Sequence, residues 1–353
     1  MKNAKRYLKL ATSGLCLAVV MYNCKPKEVA SITPFTYTFK ELEDLKLPLV
    51  QPTAPAAISV TPATVTLSAQ ADAVSKGLAS ISETGPVPDA VQKAVTDAGK
   101  AMSTEKAEVL VEKFTPAVID NLGKTGTLPA DLQADIAAAA ANPMLKAYMP
   151  TFTLPQVDGK AVGGRLGAVT AVTILAVANS VADKDKDKDK CKKAAKDAYD
   201  KAIVSLDQTR ISQTASVGTT FSQAEAAAST GVPACQSSVA AKYGVMMTAA
   251  TKGLNDNKAN LDKAKNKLGK DMYNLLSVLN FVAYAEVVKV FGTLQIAESK
   301  TCTLLKDARI VAAKVARDKD LSVIFTNYNA VLKSAESSRD KAVKGCHNQG
   351  NGG

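Results

Sequence analysis

Tryptophan is absent from this chain, histidine occurs once, and aromatic residues make up only 5% of the sequence. Each scarcity removes a class of function. The single histidine, His347, stands in a Gly/Asn-rich tail, so a His-Glu-x-x-His zinc site cannot form within one chain. A Ser-His-Asp triad would have to draw on that same tail residue. The cysteines lack the close pairing of zinc sites. Gly123-Lys124-Thr125 has the ending of a phosphate loop, but Val118 stands where its first glycine is required. Gly163-Gly164-Arg165-Leu166-Gly167 lacks the spacing of a dinucleotide-binding turn. Residues 183–190 alternate Asp and Lys, yet a calcium loop counted from Asp183 would need glycine at Lys188 and glutamate at Ala194. Basic residues are interleaved with acids rather than clustered with aromatics, which argues against nucleic-acid binding. The expectation is a protein without catalytic residues, cofactor or metal.

Alanine and lysine are abundant instead, and these favour packed helices over sandwiches that need aromatic and β-branched residues. The net charge is +11, and removing Lys2, Lys5, Arg6 and Lys9 with a leader leaves about +7. Such spread-out basicity describes a solvated helical surface that could meet anionic glycans or lipids.

Those four basic residues form an n-region, followed by an uncharged run from Leu10 to Tyr22 that is too short for a comfortable membrane span. The run ends at Met21-Tyr22-Asn23-Cys24 before the charged Lys25-Pro26-Lys27-Glu28. This segment resembles the signal of bacterial lipoprotein precursors, although Tyr22 and Asn23 stand where small residues are commoner. The resemblance covers the leader alone. It implies that Cys24 receives diacylglycerol, becomes the new N-terminus and attaches the chain to a membrane. Cleavage before Ile32 with simple secretion, or an uncleaved anchor, are the alternatives.

After residues 1–23, residues 24–63 read as lipid anchor and tether, because Pro26, Pro34, Pro48, Pro52, Pro55 and Pro62 interrupt any regular element. Residues 58–67 resemble the opening strand of bacterial Ig-like repeats, but no train of strands follows. Residues 64–182 read as a short-helix region, with helices at 67–82, 88–102, 104–121 (kinked or cut at Pro116) and 129–142. It ends in the uncharged run 166–182, expected to be a buried helix or else a membrane-inserting one. Residues 183–346 read as a bundle of three long helices, at about 190–229, 236–299 with a possible break near Gly253, and 301–345. The tail 347–353 follows. Apolar residues at three- and four-residue steps mark the expected seam: Leu261, Ala264, Leu268, Met272, Leu275, Leu279, Val282, then Leu304, Ala308, Val311, Val315, and after a slip Ile324, Tyr328, Val331, Ala335. Between Leu275 and Ala285 apolar residues go all round, which predicts burial on several sides.

Cys191, Cys235, Cys302 and Cys346 form an even set in an exported chain, which suggests disulfides. Cys191 and Cys235 are 44 residues apart, as are Cys302 and Cys346. A helix of that length spans roughly 66 Å, whereas disulfide Cα atoms lie within about 7 Å. An up-down-up bundle therefore predicts Cys191–Cys302 with Cys235–Cys346. The alternative is Cys191–Cys235 with Cys302–Cys346, which requires helices that fold back.

The expected fold class is all-α: an elongated, disulfide-stapled bundle of three long antiparallel C-terminal helices with shorter N-terminal helices. The expected function is that of an exported, lipid-anchored protein of the bacterial outer membrane or cell surface. Its role would be structural or binding, with the membrane as one partner and an envelope protein or anionic glycan as another. The alternative, by architecture alone, is an α-helical pore-forming protein that inserts 166–182.

Overall fold

The computed structural model of the chain describes residues 37–162 and 190–346. The leader with Cys24, the apolar run 166–182, the Asp/Lys run before Lys190 and the tail with His347 lie outside them. The fold is all-α and disulfide-stapled, with little strand. It divides into two compact units. The described residues of the first are 37–48, 190–210 and 326–346, and those of the second are 49–162 and 211–325.

Most of the helix lies in one element, Lys190–Gly345, whose single non-helical residue is Gly269, with φ 72° and ψ 169°. That combination belongs to a region of backbone space that side chains other than glycine's avoid. The element is thus two arms, α8 (190–268) and α9 (270–345), reversing at one residue. In the second unit the contacts step backward on one arm as they advance on the other. Asp262 meets Tyr273, Asn257 meets Asn280, Thr251 meets Tyr284, Lys242 meets Glu298 and Cys235 meets Cys302. In the first unit Arg210 lies over the Tyr328 ring, Arg339 over Tyr199, and Cys191 is bonded to Cys346.

The expected long antiparallel helices are present, but they are two rather than three. Helix continues through 229–236 and 299–301, where breaks were expected. Pro233 removes one backbone donor and would ordinarily weaken a helix by about 3 kcal/mol. The disulfide at Cys235, two residues on, holds the arm in place there. Gly218 and Gly253 are helical, and a Cβ on either would meet nothing within 4 Å.

The seam between the arms repeats every eleven residues. On α9 the buried positions Cys302, Ala313, Ile324 and Ala335 keep that step, as does Cys346 just past its end, and on α8 so do Ala195, Leu206, Val217 and Ala228. An α-helix completes three turns in eleven residues at about 3.67 per turn, so one stripe keeps facing the partner without the left-handed supercoil of a heptad. The 44-residue cysteine spacing is four such repeats. The cation–ring pairs share the step: Tyr199 and Arg210 on α8 face Arg339 and Tyr328 on α9 in the first unit, and Phe221 faces Arg317 in the second. The stripe Leu304–Val315 is not the seam, since Val311 is 43% and Val315 65% exposed. Ile324 and Ala335 do lie on the seam, fully buried.

The smaller elements come earlier in the chain. The first unit holds the single turn α1 (Lys40–Glu43). The second holds α2 (Ala69–Ala79), α3 (Asp89–Ala101), α4 (Thr104–Lys113), α5 (Pro116–Thr125), α6 (Ala130–Ala141) and α7 (Pro143–Lys146). Their starts follow local chemistry. Ser68, Ser103 and Thr115 accept hydrogen bonds from the first free backbone N–H groups of α2, α4 and α5. Pro116 occupies the first turn of α5, so the expected helix 104–121 is cut there, and Gly126 ends α5 in a left-handed conformation. Short strands β1 (Val60–Thr61) and β2 (Thr64–Thr66) pair antiparallel with β4 (Gln156–Val157) and β3 (Thr151–Thr153), and β5 (Lys160–Ala161) adds to β4.

These small helices wrap the tip of the two arms. Leu275, Leu276, Val278, Leu279, Phe281, Val282, Tyr284 and Ala285 are all buried, as all-round apolarity predicts. They share one core with Val91, Leu110, Leu132, Ile136 and Leu145, and Phe114 stacks on Phe281 with centroids 3.9 Å apart. Among the described residues, only the Lys190–Gly345 element holds a window apolar enough to cross a membrane, and most of that window is buried.

Gly269→Val should lower stability by about 1–3 kcal/mol in urea titration, because the open surroundings leave backbone strain as the only cost. Gly253→Ala should be neutral or stabilising by up to about 1 kcal/mol. Equal effects of the two substitutions would refute the assignment of the reversal to Gly269.

Candidate functional site

Two features of the second unit are candidates for a functional site: a docked N-terminal strap and a cavity beside it. The expected tether is not free in its described part. An extended chain outside a sheet leaves backbone N–H groups without partners, and helices have none to offer because their carbonyls bond internally. Side-chain acceptors on the arms supply them. Val50 N donates to Gln213 Oε1 at 3.2 Å. Thr53 donates through both N and Oγ1 to the Asp320 carboxylate, each at 2.6 Å. Ala63 N donates to Glu298 Oε1 at 2.7 Å. Gln213, Asp320 and Glu298 are all buried. Pro52, Pro55 and Ile58 are half-buried at every third position, the period of a polyproline helix, and Pro52 and Pro55 pack beside Phe221. In the first unit, Ser338 Oγ donates to Glu41 Oε2, and Leu42 and Leu47 are buried.

Lys242 Nζ lies 2.8 Å from Glu298 Oε1, so the strap acceptor is also ion-paired. Burial, with the Glu298 carboxylate close by, pushes the Tyr243 hydroxyl well above its ordinary range.

The cavity, about 460 Å³, lies between α2 and the two arms. That volume is in the range of small-ligand sites and far exceeds the voids of a close-packed interior. Its walls are mostly apolar. At one end a polar relay crosses from α2 to both arms: Ser75 Oγ donates to Asn257 Oδ1 at 2.6 Å, Asn257 Nδ2 to Asn280 Oδ1 at 3.1 Å, and Asn280 Nδ2 to the Leu254 carbonyl at 3.3 Å. At the other end stand Met246, Phe291 and Val65. Tyr148 lines the wall with its hydroxyl committed to buried Asp97 at 2.8 Å. The Lys93 hydrogen bond holds the Asp97 carboxyl below its usual range despite burial. Burial and Asp97 raise the Tyr148 hydroxyl well above its own range, so this pair stays ionised and protonated respectively at neutral pH.

The four late cysteines are all oxidised, but in neither expected pairing. Cys191 is bonded to Cys346 and Cys235 to Cys302, with Cα atoms 5.8 and 5.9 Å apart. The reason is the reversal at Gly269. Cys235 lies 34 residues before it and Cys302 33 after, while Cys191 lies 78 before and Cys346 77 after. An antiparallel pair brings equal distances from the turn together, whereas an up-down-up bundle would align Cys191 with Cys302. Cys24 and the run 166–182 fall outside the described residues, and so does His347. Among the described residues no three His, Cys, Asp or Glu side chains gather as a metal site would need.

Sequence reasoning missed the strap acceptors and the cavity. Glu298 and Asp320 carry a readable signal: both are acids on the buried face of α9, two eleven-residue repeats apart. In the second unit the geometry defines a class, a disulfide-clamped antiparallel helical hairpin with a small-helix cap over its turn. Neither a protein-family model, a curated protein nor a solved structure matches the chain.

Proposed function

We propose that this is an exported protein of the bacterial envelope, attached through lipid on Cys24, with a structural or binding role and no catalytic step. The observation that carries this reading is the pair of disulfides between the arms. Both close loops over long stretches of chain, and such bonds persist in oxidising compartments outside the cytosol. The basic n-region, the apolar run and Cys24 before a charged segment supply the matching address. Acyl chains hold the N-terminus at the membrane, the strap ties it to the arms, and the arms and cap present the binding surface. The mature charge of about +7 suits contact with an anionic envelope glycan.

Cys24→Ala tests the anchor. The variant should move to the soluble fraction after export and lose metabolic labelling with an alkyne-bearing fatty acid. Unchanged membrane partition of the variant would overturn the reading.

A further inference from the structure

We propose that the cavity between α2 and the arms binds a neutral single-chain amphiphile, its polar head at Ser75, Asn257 and Asn280 and its chain running toward Met246 and Phe291. Three features carry this assignment. The first is shape. Along α8 the lining runs from Met246 to Asn257, eleven residues or roughly 16 Å of helix, and along α9 from Asn280 to Phe291. The site is therefore long, as an acyl chain is.

The second feature is the division of polarity along that length. Met246, Leu254, Val287 and Phe291 make an apolar wall, and the Ser75–Asn257–Asn280 relay closes one end. Each asparagine Nδ2 carries two N–H donors, of which the relay engages one, and each Oδ1 has a further lone pair. A hydroxyl or ester head can both give to and take from such amides.

The third feature is charge. Among the described residues lining the cavity, Asp72 alone is charged, and its carboxylate is paired with Lys76 at 2.6 Å on the exposed side of α2. A fatty-acid carboxylate or a quaternary ammonium in the site would lie without a counter-charge, which costs several-fold more than placing a neutral head among amides. A neutral head is favoured on that ground. The inference does not depend on how the chain is anchored: the binding test can succeed or fail whatever the outcome at Cys24.

Full-length processed protein should enhance the fluorescence of N-phenyl-1-naphthylamine. 1-Monolauroylglycerol should displace this probe at least tenfold more effectively than laurate or dodecyltrimethylammonium. Gly253→Phe should weaken monolauroylglycerol at least tenfold, since Gly253 lines the cavity and a Cβ there meets nothing within 4 Å, so that the larger side chain occupies space the ligand needs. Leu67→Trp provides an independent readout. Leu67 is a 66% exposed lining residue in a chain without tryptophan, and the emission of the introduced indole should shift to the blue on adding monolauroylglycerol. Absence of displaceable probe, laurate matching the monoglyceride, undiminished binding by folded Gly253→Phe, or an unshifted indole would each overturn the proposal.

Discussion

Peptide mapping of the exported protein without reductant should yield Cys191 joined to Cys346 and Cys235 joined to Cys302, and replacing either pair with serine should cost about 4 kcal/mol of stability. The size follows from nested loops. The inner bond closes 67 residues and the outer 155, but the outer loop already contains the inner one. Each bond then restrains an unfolded chain of well under the full outer length, and loop-closure entropy changes slowly over that range, so the two costs come out similar. Their locations differ. In the first unit, short helical stretches of 190–210 and 326–346 are held with the chain around Leu42 and Leu47 by a small core. Cys191→Ser with Cys346→Ser should therefore accelerate amide exchange in both stretches by at least about a hundredfold, as local opening becomes cheap. Exchange around Leu276 to Val282, beneath the cap, should stay slow. A Cys191–Cys302 peptide, or four free thiols, would refute the hairpin.

The pairing shows which parts of the fold the sequence makes legible. Helix content, the four cysteines and the all-round burial at Leu275–Ala285 follow from composition and periodicity, which are local properties. Connectivity does not. The equal 44-residue spacings fit parallel and antiparallel neighbours alike, and the choice rests on where the chain reverses. Gly231-Val232-Pro233 has the chemistry of a break, and Gly269 between Leu268 and Lys270 has no flanking proline or turn residue to mark it. Yet helix passes through the first and reverses at the second, because packing and a nearby disulfide outweigh local propensity. The symmetry of all four cysteines about Gly269 is the one signal of the turn that spacing carries.

Periodicity misled in a similar way. Leu304, Ala308, Val311 and Val315 satisfy a three- and four-residue step, but a step so short cannot separate a 3.5-residue repeat from a 3.67-residue one. Over several turns the two stripes diverge around the helix, and burial follows the longer period through Ala313, Ile324 and Ala335. The candidate site was less legible still. The cavity arises where α2, far away in sequence, fails to fill the space between the arms, and no local pattern encodes a gap. Asn257 and Asn280 read as ordinary polar positions until Ser75 is brought to them.

Asp320→Ala should release the strap. In the folded protein the Thr53 amide and hydroxyl both bond to that carboxylate, and hydrogen bonds to a charged group are worth about 1.5–3 kcal/mol each. Loss of both, offset in part by no longer burying the charge, leaves a net of about 3 kcal/mol, or a factor of roughly a hundred in local opening. Exchange of the Val50 and Thr53 amides should accelerate by that factor, and limited proteolysis should cut between 49 and 59 at a correspondingly higher rate. Asp320→Asn keeps one carbonyl acceptor and should fall between the two. The Ala63 amide, held by Glu298, marks how far the release spreads. If only Asp320 is lost, Ala63 should keep its protection, because the pairing of β1 with β4 and the Lys242–Glu298 ion pair anchor that end separately. Unchanged protection at Thr53 in Asp320→Ala would mean that apolar contact of Pro52 and Pro55 with Phe221 holds the strap by itself. The buried carboxylates would then be a cost to folding with no compensating role in tying the N-terminus to the arms.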